Sequence, residues 1–433
     1  MTTTGTDPID GHRLQWLGES DPVALGIMQG FPPPPDKRVG KANGMQFPNL
    51  RWGFRHARER NPTACVRRGP AAVPLPQGPA LEIDALAFDA GGLDMSFGQY
   101  FKRACVDGFL VLHQGRVVAE RYPDSMQRHE PHLWASMAKN VISLLALLLV
   151  DEGVLQLRRP LATWVPELAG TPIGEATLQQ NLDMEVAVGW PAALPPDIGL
   201  FSAIGTIPRP EGAPASIAEY VQYCQQRVPF EHGQCWYYQN GSAEAVAWAI
   251  RRATGQRLGS LFSQRVWSRL GAEQDGDWVV DETGAEFASG GLCTTLRDLG
   301  RFAELVRCRG VACDEQVVPT RVIDALMTPV DNRARFATGH LAAGRPGYRY
   351  RNYFYHLHDA QGSWQGVGRF GQWIHVDPLR ELTIVQFGSR PDMAARPLSP
   401  QRADALPELP VPDFEARWLG HMAQSIHRAL VGA

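Results

Sequence analysis

The sequence predicts an α+β fold: an antiparallel sheet flanked by helices, with a mostly helical subdomain inserted between its two halves. Three observations carry that expectation. "DGFLVLHQGRVVAERY" holds two β-rich runs, Phe109 to Leu112 and Val117 to Tyr122, on either side of His113-Gln114-Gly115-Arg116, which reads as a hairpin. Near the C-terminus "QWIHVDPLRELTIVQFGS" reads as strand, Asp-Pro turn, strand. Between these regions, from Ser136 to about Leu326, apolar residues recur mostly at helical spacing.

Taken in order, the first 95 residues are rich in proline and glycine, "GFPPPPDKRVG" among them, and are expected to form an extended arm with little regular structure, packed on a main domain of residues 96–433. Val141 to Glu152 is apolar nearly all round, which implies a buried helix, and Gly153 is placed to end it. "SIAEYVQYCQQ", "SAEAVAWAIRRATG", "LGSLFSQRVWSRLG" and "TLRDLGRFAELVRCRG" are amphipathic at helical period, three of them ending at or near glycine. These helices make up a subdomain at roughly residues 140–340. "FEARWLGHMAQSIHRAL" reads as a closing amphipathic helix. There is no internal repeat.

Composition excludes several classes. With 433 residues, 44% of them apolar, the chain can bury a large core. The formal net charge of -3, without a cluster of lysine and arginine, argues against binding nucleic acid through its phosphates. The N-terminus lacks a basic start followed by an apolar block, so no secretory signal is expected. The longest apolar run, Val141 to Val150, is far shorter than the about 20 residues of a membrane span. The seven cysteines, Cys65, Cys105, Cys224, Cys235, Cys293, Cys308 and Cys313, are odd in number and form no C-x-x-C pair. Free thiols in a reducing cytoplasm are the simplest reading.

Chemistry-bearing residues begin with "WASMAKN". Ser136 and Lys139 stand i, i+3, on one face of any helix that starts there. A serine hydroxyl needs a base to become a nucleophile, and a lysine becomes a base only when burial disfavours its charge. The apolar run after Lys139 supplies such a setting. The same two residues also fit a plainer role, a helix cap and a lysine reaching out to water. In "WYYQNGSAEAVAWAI", Tyr238 and Asn240 immediately precede a helical pattern. Tyr238 can pass protons between a serine and a leaving group, or be core; Asn240 can bind lysine or substrate, or cap the helix. In "GVGRFGQWIHVDP", Gly366, Gly368 and Gly371 crowd the start of a strand, where backbone approaches something closely or merely turns. "HLHD", His356 to Asp359, lacks the rest of a metal-ligand set, and "YRYRNYFYHLHD" alternates as a strand would. No metal and no organic cofactor is expected. No G-x-S-x-G is present.

S-x-x-K, then Y-x-N about 100 residues later, then a glycine-containing strand, resembles the penicillin-recognising serine hydrolases: class C β-lactamases, D-alanyl-D-alanine peptidases and related esterases. "LVDEGVLQLRRPLATWVPELAG" and "EFASGGLCTTLRDLGRFAELV" look like segments of that family, and the branch containing 6-aminohexanoate-dimer (nylon-oligomer) hydrolases is the most similar. The resemblance spans roughly residues 45 to 395. It implies a β-lactamase/transpeptidase-like fold for the main, catalytic domain. It also implies an acylated Ser136, Lys139 as its base partner and Tyr238 as proton shuttle. Asn240 supports them, and the backbone N–H groups of Ser136 and Arg369 form an oxyanion hole. Gly366-Val367-Gly368 falls where β-lactamases carry Lys-Thr-Gly. That departure, at Gly366 and Val367, argues for esters or linear amides over β-lactams. "EVAVGWPAALPPDIGLF" matches the region that closes over substrate in nylon-oligomer hydrolases, but it has no tyrosine and its only acids are Glu185 and Asp197; the proline-rich loop of residues 189–214 is expected to border the pocket with Trp190 and Phe201.

The function expected is therefore that of a cytoplasmic serine hydrolase acting on a small ester or linear amide, either a carboxylesterase or a 6-aminohexanoate-oligomer-type amidase. Analogy suggests a homodimer. The alternatives are a non-catalytic ligand-binding or sensing module of the same fold, or a weak β-lactamase or D-Ala-D-Ala peptidase.

Overall fold

The computed structural model describes residues 14, 16–191, 194–223, 225–339, 341–342, 345–357, 359–391 and 414–432. The β-rich runs at the two ends do join in one sheet. Its seven strands are all antiparallel and lie in the order Arg349–Arg351, Phe354–His356, Trp364–Gly368, Gln372–Asp377, Leu382–Gly388, Val106–His113 and Arg116–Arg121. Strand residues alternate between two faces. Phe109 and Val111 therefore pack on one side with Phe97, Phe101 and the Trp418, Met422 and Ile426 side chains of the C-terminal helix Phe414–Val431. Leu110, Leu112, Val385 and Phe387 face the other side and belong to the larger core shared with the helices. The helix Leu296–Arg307 lies on that second face. Gly300 lets it settle there, because a Cβ at this position would come within 2.8 Å of Leu110 Cδ2.

A second antiparallel sheet has four strands in the order Thr63–Val66, Gly276–Val279, Leu292–Thr294 and His132–Leu133. The N-terminal arm thus holds more regular structure than its proline content predicts. It contributes the helix Asn49–Arg55 and a strand whose partner, Thr63 against Val279, is far away in the sequence. Arg51 anchors the arm: it donates to Asp107, Ser20 and Ser389 and pairs with Asp124, almost wholly out of solvent.

The buried helix runs Ala138–Asp151, with Gly153 at positive φ just past its end. Another helix, Asn240–Thr254, is closed by Gly255 in the left-handed region, as its sequence predicts. "YRYRNYFYHLHD" differs from expectation. It forms a two-strand hairpin in which Arg351 pairs with Phe354 around Asn352 and Tyr353, both at positive φ. That turn suits the twist of antiparallel strands, and asparagine accepts it more readily than most residues. No helix among the described residues is long and apolar enough to cross a membrane.

Candidate active site

Ser136 is held by a turn that the four-stranded sheet fixes in place. Strand His132–Leu133 pairs with Leu292–Thr294, Trp134 N–H donates to Leu292 O, and the Trp134 indole donates to Thr294 Oγ1 at 2.7 Å. Ala135 then takes φ +46°, a conformation that costs a non-glycine residue about 1 kcal/mol or more. It turns the chain into the short 3-10 segment Ala135–Met137, which runs directly into the helix Ala138–Asp151. Ser136 retains partial exposure, whereas Lys139, one turn along, is only 1% exposed.

Lys139 Nζ lies 2.9 Å from Ser136 Oγ and donates to Ser289 O at 2.9 Å. No carboxylate among the described residues forms an ion pair with it. Desolvation therefore dominates its titration: burial brings the ammonium down to about 7, against weaker upward pulls from Glu244 and Asp197. An amine in that range is a usable base near neutral pH. Glu244 sits fully buried on the helix Asn240–Thr254 and accepts from the backbone N–H groups of Ala288 and Ser289, at 3.1 and 2.8 Å. It thereby aims the Ser289 carbonyl at the lysine. The sequence reading missed Glu244 and Ser289, since each resembles an ordinary position of an amphipathic helix or a glycine-rich loop.

Tyr238 keeps part of its ring open, and its hydroxyl faces the Ser136 side chain, which favours the tyrosinate. Lys139 Nζ stands 5.0 Å from the ring centroid. Burial pushes the phenol up to about 12, with the Ser136 hydrogen bond and the Arg345 and Arg369 charges acting the other way. The group is therefore a neutral phenol that can donate near neutral pH, and of the two the lysine is the one able to take up a proton there.

The glycine strand meets Ser136 from the far side. Trp364–Gly368 pairs along its whole length with Gln372–Asp377, but its pairing with Phe354–His356 ends at Gln365. Gly366, Val367 and Gly368 project past that neighbour and turn their open backbone edge to the Ser136 turn. A Cβ on Gly368 would come within 2.7 Å of Trp134 O, so only glycine allows this approach. Gly366 is equally constrained: a Cβ there would meet Asn140 Oδ1 at 2.5 Å, and Asn140 is tied by its Nδ2 to Tyr353 O. A lysine at position 366 has no room.

Asn240 opens its helix and reaches Asp197 Oδ1 at 3.5 Å. Asp197 also pairs with the Arg369 guanidinium at 2.9 Å. The loop of residues 189–214 contains a helix, Pro196–Ala203, that the sequence reading did not anticipate. Trp190 stacks on Tyr220, with centroids 5.6 Å apart, and packs on Gly241. Phe201 meets Phe287 edge to face. Both touch the scaffold next to the site. His356 is buried and its imidazole is pushed down to about 4 by desolvation; His358 lies outside the described residues. Among the described residues no cluster of three His, Cys, Asp or Glu side chains is arranged to hold a metal ion.

The structure thus brings together a serine hydrogen-bonded to a buried lysine, a tyrosine against both, and a glycine strand with an open edge. The β-lactamase family model matches residues 105–406, and the chain belongs to that family. More particularly, it is a β-lactamase-fold hydrolase related to the 6-aminohexanoate-dimer hydrolase of Paenarthrobacter ureafaciens. The two are 30% identical over 359 residues, which cover 81% of this chain and 88% of that protein. A Bacillus anthracis structure, named by inference as a 6-aminohexanoate-dimer hydrolase, superposes with a TM-score of 0.79 at 29% identity, covering 92% of this chain and 99% of the other. A class C β-lactamase from Rhodobacter sphaeroides shares the fold at 15% identity and TM-score 0.52, covering 76% and 97% of the two chains.

Proposed function

We propose that the protein is a serine hydrolase that cleaves carboxylic esters or linear amides through an acyl-enzyme on Ser136. The observation that carries this reading is the 2.9 Å contact between Ser136 Oγ and a buried lysine that has no ion-pair partner among the described residues. With Lys139 neutral, the hydroxyl donates to its lone pair, and Oγ is freed to attack a carbonyl. Negative charge develops on the carbonyl oxygen. The backbone N–H groups of Ser136 and Arg369, across the gap held open by Gly368, receive it. The Lys139 ammonium then returns the proton by way of Tyr238, whose phenol protonates the leaving alcohol or amine. Water, activated by the same pair, releases the acid.

The substrate class rests on what replaces the anion-binding residues of β-lactamases. Gly366 and Val367 offer neither ammonium nor hydroxyl, and Asn140 closes the space that a longer side chain would need. Esters come first. Linear amides come second, supported by the activity for which the Paenarthrobacter relative is named. The test is covalent labelling. Wild-type protein treated with a fluorophosphonate is expected to gain one adduct, mapped to Ser136 by peptide mass spectrometry, and to hydrolyse p-nitrophenyl acetate. Equal labelling and turnover by Ser136→Ala would refute the reading and favour a non-catalytic binding module.

A further inference from the structure

We propose that the Asp197–Arg369 ion pair makes this site select acyl groups that carry no negative charge, by occupying the guanidinium that would otherwise receive a substrate carboxylate. The inference rests on the serine-hydrolase reading above and names a determinant of its substrate class.

Three segments meet at this pair. Arg369 directly follows Gly368, whose backbone abuts the Ser136 turn, so its side chain starts beside the oxyanion position. Asp197 lies in the first turn of the helix Pro196–Ala203, in the loop that borders the site. Asn240, two residues after Tyr238, reaches the other Asp197 oxygen. The ion pair spans 2.9 Å, with the Arg369 side chain 14% exposed and that of Asp197 22% exposed. It is therefore close to solvent and partly screened, as expected at the mouth of a site.

The charges of the pair reach the reacting groups. Asp197 raises the titration of both Lys139 and Tyr238, and Arg369 lowers that of Tyr238. The field of the pair therefore extends to the residues around Ser136. On this proposal an acyl chain seated on Ser136 lies alongside the pair. A neutral chain leaves the pair intact. A chain ending in a carboxylate meets a cation already neutralised, together with the Asp197 oxygens, and must break the pair or be repelled by it. Exclusion by like charge is a common route to specificity. Neighbouring residues 366 and 367 supply no substitute cation or hydroxyl. Asp197→Asn retains the shape of the side chain and an acceptor for Asn240, and removes the charge that occupies Arg369.

The experiment compares kcat/KM for p-nitrophenyl butyrate and for mono-p-nitrophenyl succinate, two esters of similar length that differ by a terminal carboxylate. Wild type is expected to prefer the butyrate by about tenfold or more, and Asp197→Asn to narrow that ratio by about tenfold through a lower KM for the succinate. Asp197→Ser serves the same purpose if the amide variant is unstable. Asp197→Glu should restore the wild-type preference, and Asp197→Asn combined with Arg369→Gln should lose the gain. A ratio that stays within about twofold of wild type in a folded Asp197→Asn protein would overturn the inference while leaving the hydrolase reading intact. Absence of turnover of both esters by wild type, with no labelling of Ser136, would overturn both.

Discussion

Two cations lie equally deep in the protein, and their surroundings make opposite use of them. Arg51, under the N-terminal arm, and Lys139, beside Ser136, are each 1% exposed. Burial disfavours the charge of both. Around Arg51 that penalty is outweighed by Asp107 at 2.7 Å and Asp124 at 2.8 Å, and the guanidinium is held above its ordinary range. His132, four residues before Ser136, donates to the same Asp107. Around Lys139 no carboxylate of the described residues pairs, burial prevails, and the ammonium falls to about 7. The first cation can only hold structure, whereas the second can give up a proton and become a base. Burial alone does not loosen a cation's proton; burial without a counter-charge does.

Substitutions at the two cations should separate stability from activity, with the largest effect at the lysine. Lys139→Met is expected to cut kcat/KM for p-nitrophenyl esters by about a thousandfold or more, since a general base typically supplies that much. It should also stabilise the fold. The folded pKa of Lys139 lies below its ordinary 10.5, so between about 7 and 10.5 the unfolded chain binds the extra proton. Stability from this group therefore rises with pH across that window, and its penalty is greatest below about 7. Thermal melts should show the methionine variant gaining most at pH 6 and little at pH 10. A gain that grew with pH would contradict the assignment.

Breaking the other cluster should do the reverse. Asp107→Asn leaves Arg51 buried without its main counter-charge and is expected to cost roughly 3–5 kcal/mol in denaturant unfolding, with turnover per folded molecule unchanged. Tyr238→Phe should lower turnover about a hundredfold, and by less for p-nitrophenyl esters than for alkyl esters, whose poorer leaving groups need the phenol proton more. Smallest in stability is Gly368→Ala: its Cβ would press on Trp134 O, costing roughly 1–3 kcal/mol by overpacking, with kcat reduced more than KM is raised. An alanine variant with wild-type kcat would contradict the proposed oxyanion position beside Gly368.

The sequence shows one of the two cations and hides the other. Lys139 is legible because its partner is three residues away and an apolar helix follows. The helices around it are legible because their apolar period and terminal glycines are local signals, and so are the hairpins at Phe109 and Trp373. Arg51 is not legible: its partners at Asp107 and Ser389 are separated from it by 56 and 338 residues. For the same reason the strand Thr63–Val66 is lost inside a proline-rich arm, because its existence depends on a partner at Gly276–Val279. Glu244 escapes notice likewise, and Asp197 is visible only as an acid of its loop, until the fold sets the one against Ser289 and the other against Arg369. Local chemistry can be read along the chain; electrostatic pairing across it cannot.

The central claim is that Lys139 is the base because it is buried unpaired. The rate of Ser136 acylation, followed as the pre-steady-state burst of p-nitrophenol between pH 5 and 9, tests it most directly. The account predicts a rate that climbs with pH and levels off, with an apparent pKa near 7 set by the lysine. Lys139→Ala should show a slow burst without that inflection. A wild-type burst that is independent of pH across this range, or one that keeps the same inflection in Lys139→Ala, would contradict it.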